Sequence, residues 1–259
     1  MEPQEVYNLV LKEVKKKIAG KEDVIKLMFI GLVANGHVLL EGVPGVAKTT
    51  MVKSLASAIN ADFKRIQGTS DLTPQDIVGY TYIDPSDNNL KVHKGPIFTN
   101  LLLLDELNRT PPKTMSAFLE MLEERVVTIG GINYKLPDLF IAFATQNPLN
   151  IEGTEPLPKV LADRFIMKIN VDYPSENEEI EMIRLKEKDT QLEINKVVDI
   201  ETILSLQSMV KNVSLDDDIA NYIVRIVDAT RSDIHVVMGA SPRAIIALVN
   251  CAKAKALIE

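Results

Sequence analysis

The chain, 259 residues long, predicts an α/β fold: a five-stranded parallel sheet between helices, followed by a small all-α region. Three observations predict it. Short apolar runs of strand length recur near 37–41, 63–67, 101–105, 140–146 and 165–171, and the stretches between them carry apolar residues at helical spacing. That alternation builds a parallel sheet covered on both faces. A turn at Tyr173-Pro174 closes the last run, and from Ser175 onward every long apolar pattern has the helical period. The division that follows is 1–173 for the α/β part and 174–259 for the helical part.

Residues 1–18 are predicted to form an amphipathic helix with Val6, Leu9, Val10, Val14 and Ile18 inward. His37-Val38-Leu39-Leu40-Glu41 reads as a buried strand, and Met51 to Ile59 as a helix with an apolar face. The loop between them, Gly42-Val43-Pro44-Gly45-Val46-Ala47-Lys48-Thr49, fits G-x-x-x-x-G-K-[ST] with one displacement, because Ala47 stands where the strict form has Gly. A loop turning from a strand into a helix aims backbone N–H groups at one point, where the helix dipole also favours an anion. Lys48 is then expected to reach the β- and γ-phosphates of a nucleotide and the Thr49 hydroxyl to ligate Mg²⁺; Thr50 is a further candidate nucleotide-binding residue. For this motif alone, a plain Gly/Pro turn before an ordinary helix stays open.

Two further strand ends narrow the choice. Leu101-Leu102-Leu103-Leu104 runs into Asp105-Glu106, adjacent acids at the edge where α/β sheets bind ligands. Neighbouring carboxylates repel each other unless a cation divides their tasks, Asp105 holding Mg²⁺ and Glu106 facing an attacking water. Phe140-Ile141-Ala142-Phe143-Ala144-Thr145-Gln146-Asn147-Pro148 is another buried strand, and its Asn147 is expected beside Glu106, orienting the water. The three together favour a nucleoside-triphosphatase.

Insertions are expected near 71–94 and 126–136. Within the first, residues 80–94 form two alternating stretches around a turn-rich centre; the second is a hairpin turning at Gly130-Gly131. Tyr80 and Tyr82 either touch a partner or brace their own hairpin, the commoner case. In the helical part the apolar sets are Ile180/Ile183/Leu185, Ile203/Leu204/Leu206/Val210 and Ile219/Ile223/Ile226, with a last helix after Ser241-Pro242. The acids after Ser175 read as a solvated helix start.

Composition narrows the function classes. Hydrophobic residues make up 46% of the chain and charged residues 25%, ordinary for a globular protein. No apolar run approaches membrane-helix length, and the first residues carry no signal-peptide pattern. Membrane insertion is therefore not expected. The single Cys251 excludes an internal disulfide and suits the reducing cytoplasm. The net charge of −7 includes no basic stripe with interleaved aromatics, so nucleic acid is not the expected substrate.

Taken in order, these stretches resemble AAA+ ATPases and, more narrowly, the MoxR family. The resemblance runs through Gly20-Lys21-Glu22-Asp23, the loop ending Ala47-Lys48-Thr49, Gln67-Gly68-Thr69-Ser70-Asp71-Leu72-Thr73-Pro74 and Gly95-Pro96-Ile97-Phe98. It continues through Asp105-Glu106-Leu107-Asn108-Arg109, Ala144-Thr145-Gln146-Asn147-Pro148, Pro156-Leu157-Pro158, Asp163-Arg164-Phe165 and Gly239-Ala240-Ser241-Pro242-Arg243. Ala before Lys is itself the MoxR form of the loop. The resemblance implies a P-loop AAA+ core with a helical lid, binding ATP and Mg²⁺. It implies sensor 1 at Asn147, an arginine finger at Arg164, sensor 2 at Arg243, and an adenine-lining segment at Ile18, Ala19 and Gly20; without the resemblance, Arg164 reads as paired with Asp163 or a surface acid and Arg243 as a helix-face ion pair. It also implies a homo-oligomeric ring, a hexamer, that remodels a client protein, including clients with a von Willebrand factor A domain. A lid shorter at its C-terminus than the family's is expected, since the chain runs about sixteen residues past Arg243. A nucleotide-switched scaffold and a nucleic-acid remodelling ATPase are the alternatives.

Overall fold

The computed structural model describes residues 1–147, 156–188 and 193–259. Pro148, expected to stop a strand, lies outside them. The sheet is built from β1 (His37–Glu41), β2 (Phe63–Gln67), β5 (Leu101–Asp105), β8 (Ile141–Gln146) and β9 (Phe165–Asn170). Their spatial order is β2-β5-β8-β1-β9, every pairing parallel, so all five predicted strands are present within a residue of their expected bounds.

Alternation along the strands feeds two apolar layers. Leu101 and Leu103, Ile141 and Phe143, and Val38 and Leu40 point into one layer. Leu102 and Leu104, Ala142 and Ala144, and Leu39 point into the other. These residues are almost wholly buried, which explains why the strands are continuous apolar runs. The first layer is covered by α1 (Pro3–Val14), α2 (Glu22–Val33) and α3 (Lys48–Ala58), the second by α4 (Pro74–Val78) and α5 (Pro112–Glu124).

Helix α1 is shorter than expected. Lys16 and Lys17 donate to Glu13 and Val14, an i−3 pattern that tightens the chain, and Gly20 then turns it at φ 60°. Ile18 is still buried, but Leu9 is 37% exposed and faces outward, against expectation. The insertions form antiparallel hairpins, β3 (Gly79–Ile83) with β4 (Leu90–Lys94) and β6 (Val126–Ile129) with β7 (Ile132–Lys135). The Tyr80 ring lies 5.1 Å from His93 and 6.3 Å from Tyr82, so both tyrosines brace their own hairpin.

Between the sheet's last connections lies α6 (Lys159–Ala162); after the sheet come α7 (Glu176–Lys188), α8 (Ile200–Asn212), α9 (Asp217–Ser232) and α10 (Pro242–Ile258). Ser175 caps α7 in a reciprocal arrangement with Glu178, as its sequence predicts. The expected inward faces hold for α8, where Ile203, Leu206 and Val210 are buried. They fail for α7, whose Ile180 and Ile183 are exposed, and in part for α9, where Ile223 is buried but Ile219 and Ile226 are exposed. Helix α8 packs on α2 and α10 on both α1 and α2, and Val198, Leu206, Ala254 and Ile258 belong to the same apolar layer as Val6, Phe29 and Leu32.

Candidate active site

Parallel strands place the start of every helical connection at one edge, and the phosphate-type loop lies there, between β1 and α3. Ala47 adopts φ 62°, ψ 20°, the left-handed conformation that the usual Gly supplies at no steric cost. Gly42 fits for another reason: a Cβ there would stand 2.3 Å from the Val171 carbonyl oxygen. Gly45, at φ 87°, has open space around it. Thus the loop reaches the required shape with Gly displaced, and Ala47 carries the strain.

The Lys48 ammonium donates to the carbonyls of Gly42 and Val43, the latter at 2.9 Å. Partial burial pulls its pKa down, and the carboxylates of Asp105 and Glu106 oppose that shift. The Thr49 hydroxyl donates to Asp105 Oδ2 at 3.2 Å, bringing together the two residues expected to hold Mg²⁺. A hydroxyl and a carboxylate are hard oxygen donors that suit that ion. Among the described residues no cluster of three or more His, Cys, Asp or Glu could hold a metal. Mg²⁺ here would therefore rely on Thr49, Asp105 and oxygens brought by phosphate and water.

Strand β5 ends in Asp105, buried at 8% exposure, and the chain then turns sharply: Glu106 sits at φ 53°, ψ 47°. Non-glycine residues held in that region cluster at functional sites, where the surrounding structure sustains the strain. Thr145 on β8 sustains it here, because its hydroxyl donates to Asp105 Oδ1 at 2.6 Å and accepts the Glu106 N–H at 2.8 Å. One side chain thereby fixes both acids. Arg109 reaches back to the Glu106 carboxylate at 2.8 Å. Asn147 follows the next strand, and its backbone carbonyl accepts from Asn108 Nδ2 at 3.4 Å.

Ile18 and Ala19 are buried, and the backbone N–H of Lys21 donates to Glu178 Oε1 at 3.0 Å, fastening this segment to α7. Gly20 leaves the space that the Glu178 side chain fills.

Arg164 and Arg243 do not join this group. Arg164 precedes β9, whose first residue pairs with His37 at the beginning of β1, so it stands at the edge opposite Lys48. There Arg164 Nη2 and Arg243 Nη2 each lie 2.5 Å from one oxygen of Glu123, and Arg243 Nη1 lies 3.5 Å from Asp163. Ser241 caps α10 and also donates to Asp163 Oδ1 at 2.7 Å, so the cap that starts the helix sets the position of Arg243. The cluster borders a cavity of about 880 Å³ between the sheet edge and helices α9 and α10.

Sequence reasoning missed the parts played by Arg65, Thr145, Arg109 and Glu123, and it offered Asp163 as a partner for Arg164, where the structure pairs it with Arg243. Arg65 had a readable signal, a cation inside a strand near the ligand edge. Glu123 had none, for nothing local distinguishes it from any acid at a helix end.

Residues 37–167 match the ATPase family associated with various cellular activities (AAA). Over 250 residues the chain is 46% identical to the uncharacterized protein YeaC of Bacillus subtilis, covering 96% of this chain and 78% of that one. It is 41% identical over 256 residues to the chaperone MoxR1 of Mycobacterium tuberculosis, covering 95% of this chain and 68% of the relative. A crystal structure of a Cytophaga hutchinsonii protein superposes with a TM-score of 0.90 at 38% identity, over 99% of this chain and 81% of the other. With a nucleotide loop, paired acids and a β2-β5-β8-β1-β9 sheet in agreement with these likenesses, the chain belongs to the MoxR family of AAA+ ATPases.

Proposed function

We propose that this chain hydrolyses ATP with Mg²⁺, and that it works as a homo-oligomeric, hexameric ring in the cytoplasm to remodel or mature a client protein. The observation that carries the hydrolytic reading is the convergence of Lys48, Thr49, Asp105 and Glu106 at one sheet edge, with Thr49 and Asp105 in hydrogen-bond contact. Lys48 neutralises the phosphates, Thr49 and Asp105 hold the metal, and Glu106 takes a proton from the attacking water while Asn147 orients it. Mg²⁺ held by Thr49 and Asp105 would supply charge neutralisation for the phosphates. Ile18, Ala19 and Gly20 belong to the segment that would take the adenine base.

Arg164 and Arg243 lie at the far edge, which supports their serving a neighbouring subunit's nucleotide together. A chaperone among the relatives supports a protein client, and the family resemblance supports one bearing a von Willebrand factor A domain. The test is a pair of substitutions. Lys48→Ala is expected to abolish nucleotide binding in an equilibrium titration. Glu106→Gln is expected to keep it while lowering the rate of phosphate release by roughly 10²–10⁴, the scale of general-base catalysis. A Gln protein that turns over normally would remove Glu106 from the chemistry.

A further inference from the structure

Asp105 presents its two oxygens differently. Oδ1 accepts only from Thr145 among the described contacts, at 2.6 Å, whereas Oδ2 accepts from Thr49 Oγ1 at 3.2 Å and from both Nε and Nη2 of Arg65, at 2.9 and 2.7 Å. Oδ2, facing the Thr49 hydroxyl, is the oxygen a shared metal would take. We propose that the Arg65 guanidinium is the resident counter-ion of this carboxylate, and that Mg²⁺ must displace it to bind Asp105.

The physical case rests on occupancy and on charge. Two N–H donors converging on one oxygen use its lone pairs, and a divalent ion at the same oxygen would bring two cations into contact. A nearly buried carboxylate without a counter-charge is costly, and Arg65 removes that cost before the metal arrives. Arg65 is built to leave. Its side chain is 48% exposed, against 11% for Asp105. It stands two register positions behind Asp105, opposite Leu103, and reaches forward along β2 to make the contact. Nη2 also donates to Gln67 Oε1 on the same strand, a neutral partner that remains when Asp105 is surrendered. Arg65 thus acts as a positioning residue that sets how much Mg²⁺ the site demands.

The inference depends on the metal assignment above, so its test separates the two. The full chain, saturated with ADP, is titrated with Mn²⁺ and the free ion is followed by electron paramagnetic resonance. Arg65→Met is expected to bind Mn²⁺ about fivefold more tightly than the unmodified protein, the scale of one partly exposed ion pair. Arg65→Lys keeps the charge and should stay close to the unmodified value. Arg65→Gln carries the same expectation as the Met variant and replaces it if that protein does not melt cooperatively. Asp105→Asn should weaken Mn²⁺ by more than about tenfold. Unchanged or weaker binding in Arg65→Met and Arg65→Gln, with Asp105→Asn weakened, would overturn the displacement and leave the metal site standing. An Asp105→Asn protein with normal Mn²⁺ affinity would overturn the metal assignment and this inference with it.

Discussion

The two edges of the sheet hold charged clusters assembled in opposite ways. At the edge where strands end, Lys48 and Thr49 open the helix that the loop after one strand leads into, and Asp105 and Glu106 terminate another strand. At the edge where strands begin, Glu123, Asp163, Arg164 and Arg243 come from α5, the approach to β9 and the first turn of α10, with Glu123 and Arg243 separated by 120 residues. The first edge is written in short motifs because one loop and one strand end carry most of its chemistry. The second exists only once α10 has packed beside β9 and α2. In its own subunit each of the two arginines is neutralised by acids, and neither faces Lys48. In the ring proposed above, a cluster so placed would contribute to hydrolysis across a boundary between copies.

Breaking that comparison calls for a mixing experiment, where the largest effect is expected. Arg164→Ala should retain nucleotide and lose about 10³–10⁵ in rate, the range for an arginine delivered to phosphoryl transfer from another subunit. Combined with the equally inactive Lys48→Ala protein, it should recover activity, because some boundaries then pair an intact loop with an intact arginine. Hydrolysis by the unmodified chain should also rise more steeply than in proportion to its concentration as rings form. No recovery on mixing, together with a proportional rate, would show that Arg164 acts within its own subunit or only structurally.

The same contrast explains what was legible. All five strands and both hairpins could be read, since each is a local pattern of buried residues or turn signals. Lys48, Thr49, Asp105 and Glu106 were readable for the same reason. Thr145 was not, because a threonine in a buried strand reads as a β-former; only the pairing of β5 with β8 brings its hydroxyl to Asp105. The faces of α7 and α9 were misjudged because period alone identifies an apolar stripe without saying what covers it. Ile180, Ile219 and Ile226 have the right spacing and remain exposed.

His37 offers a second, smaller test, at the base of the arginine edge. Its Nδ1 accepts the Ala142 N–H at 2.9 Å, which fixes the tautomer, so Nε2–H donates to the Leu122 carbonyl at 3.1 Å. Complete burial, aided by the Arg125 charge, lowers its pKa from 6.5 to about 3. The folded state therefore binds fewer protons here than the unfolded state between those values. The stability from neutral His37 is fully present above pH 6.5 and is lost as pH falls towards 3. Between pH 6.5 and 4 the loss should be roughly 3 kcal/mol, at 1.36 kcal/mol per unit. His37→Gln, which cannot titrate, should show a shallower fall of unfolding free energy over this interval in urea titrations. Equal slopes for the two proteins would show that the ring contributes nothing to acid sensitivity.

The smallest expected effect lies in the nucleotide loop, where two neighbouring positions should respond with opposite signs. Ala47 holds φ 62° and Gly45 holds φ 87°, with open space where a Gly45 Cβ would stand. Only backbone strain therefore distinguishes Gly45→Ala from the unmodified chain in the folded state, and it should destabilise by about 1–2 kcal/mol. Ala47→Gly removes a strain of the same size but frees the unfolded chain, which offsets about 0.5–1 kcal/mol of the gain. The net should be a stabilisation of about 0.5–1 kcal/mol, or roughly 1–4 °C in melting temperature for a chain of this size. Nucleotide affinity gives the sharper distinction. If Ala47 serves only to shape the loop, glycine keeps the affinity; if its methyl group also limits the loop's alternatives before phosphate binds, the Gly protein melts higher yet binds ATP more weakly. A lower melting temperature for Ala47→Gly would show that the left-handed turn at this position is held without strain.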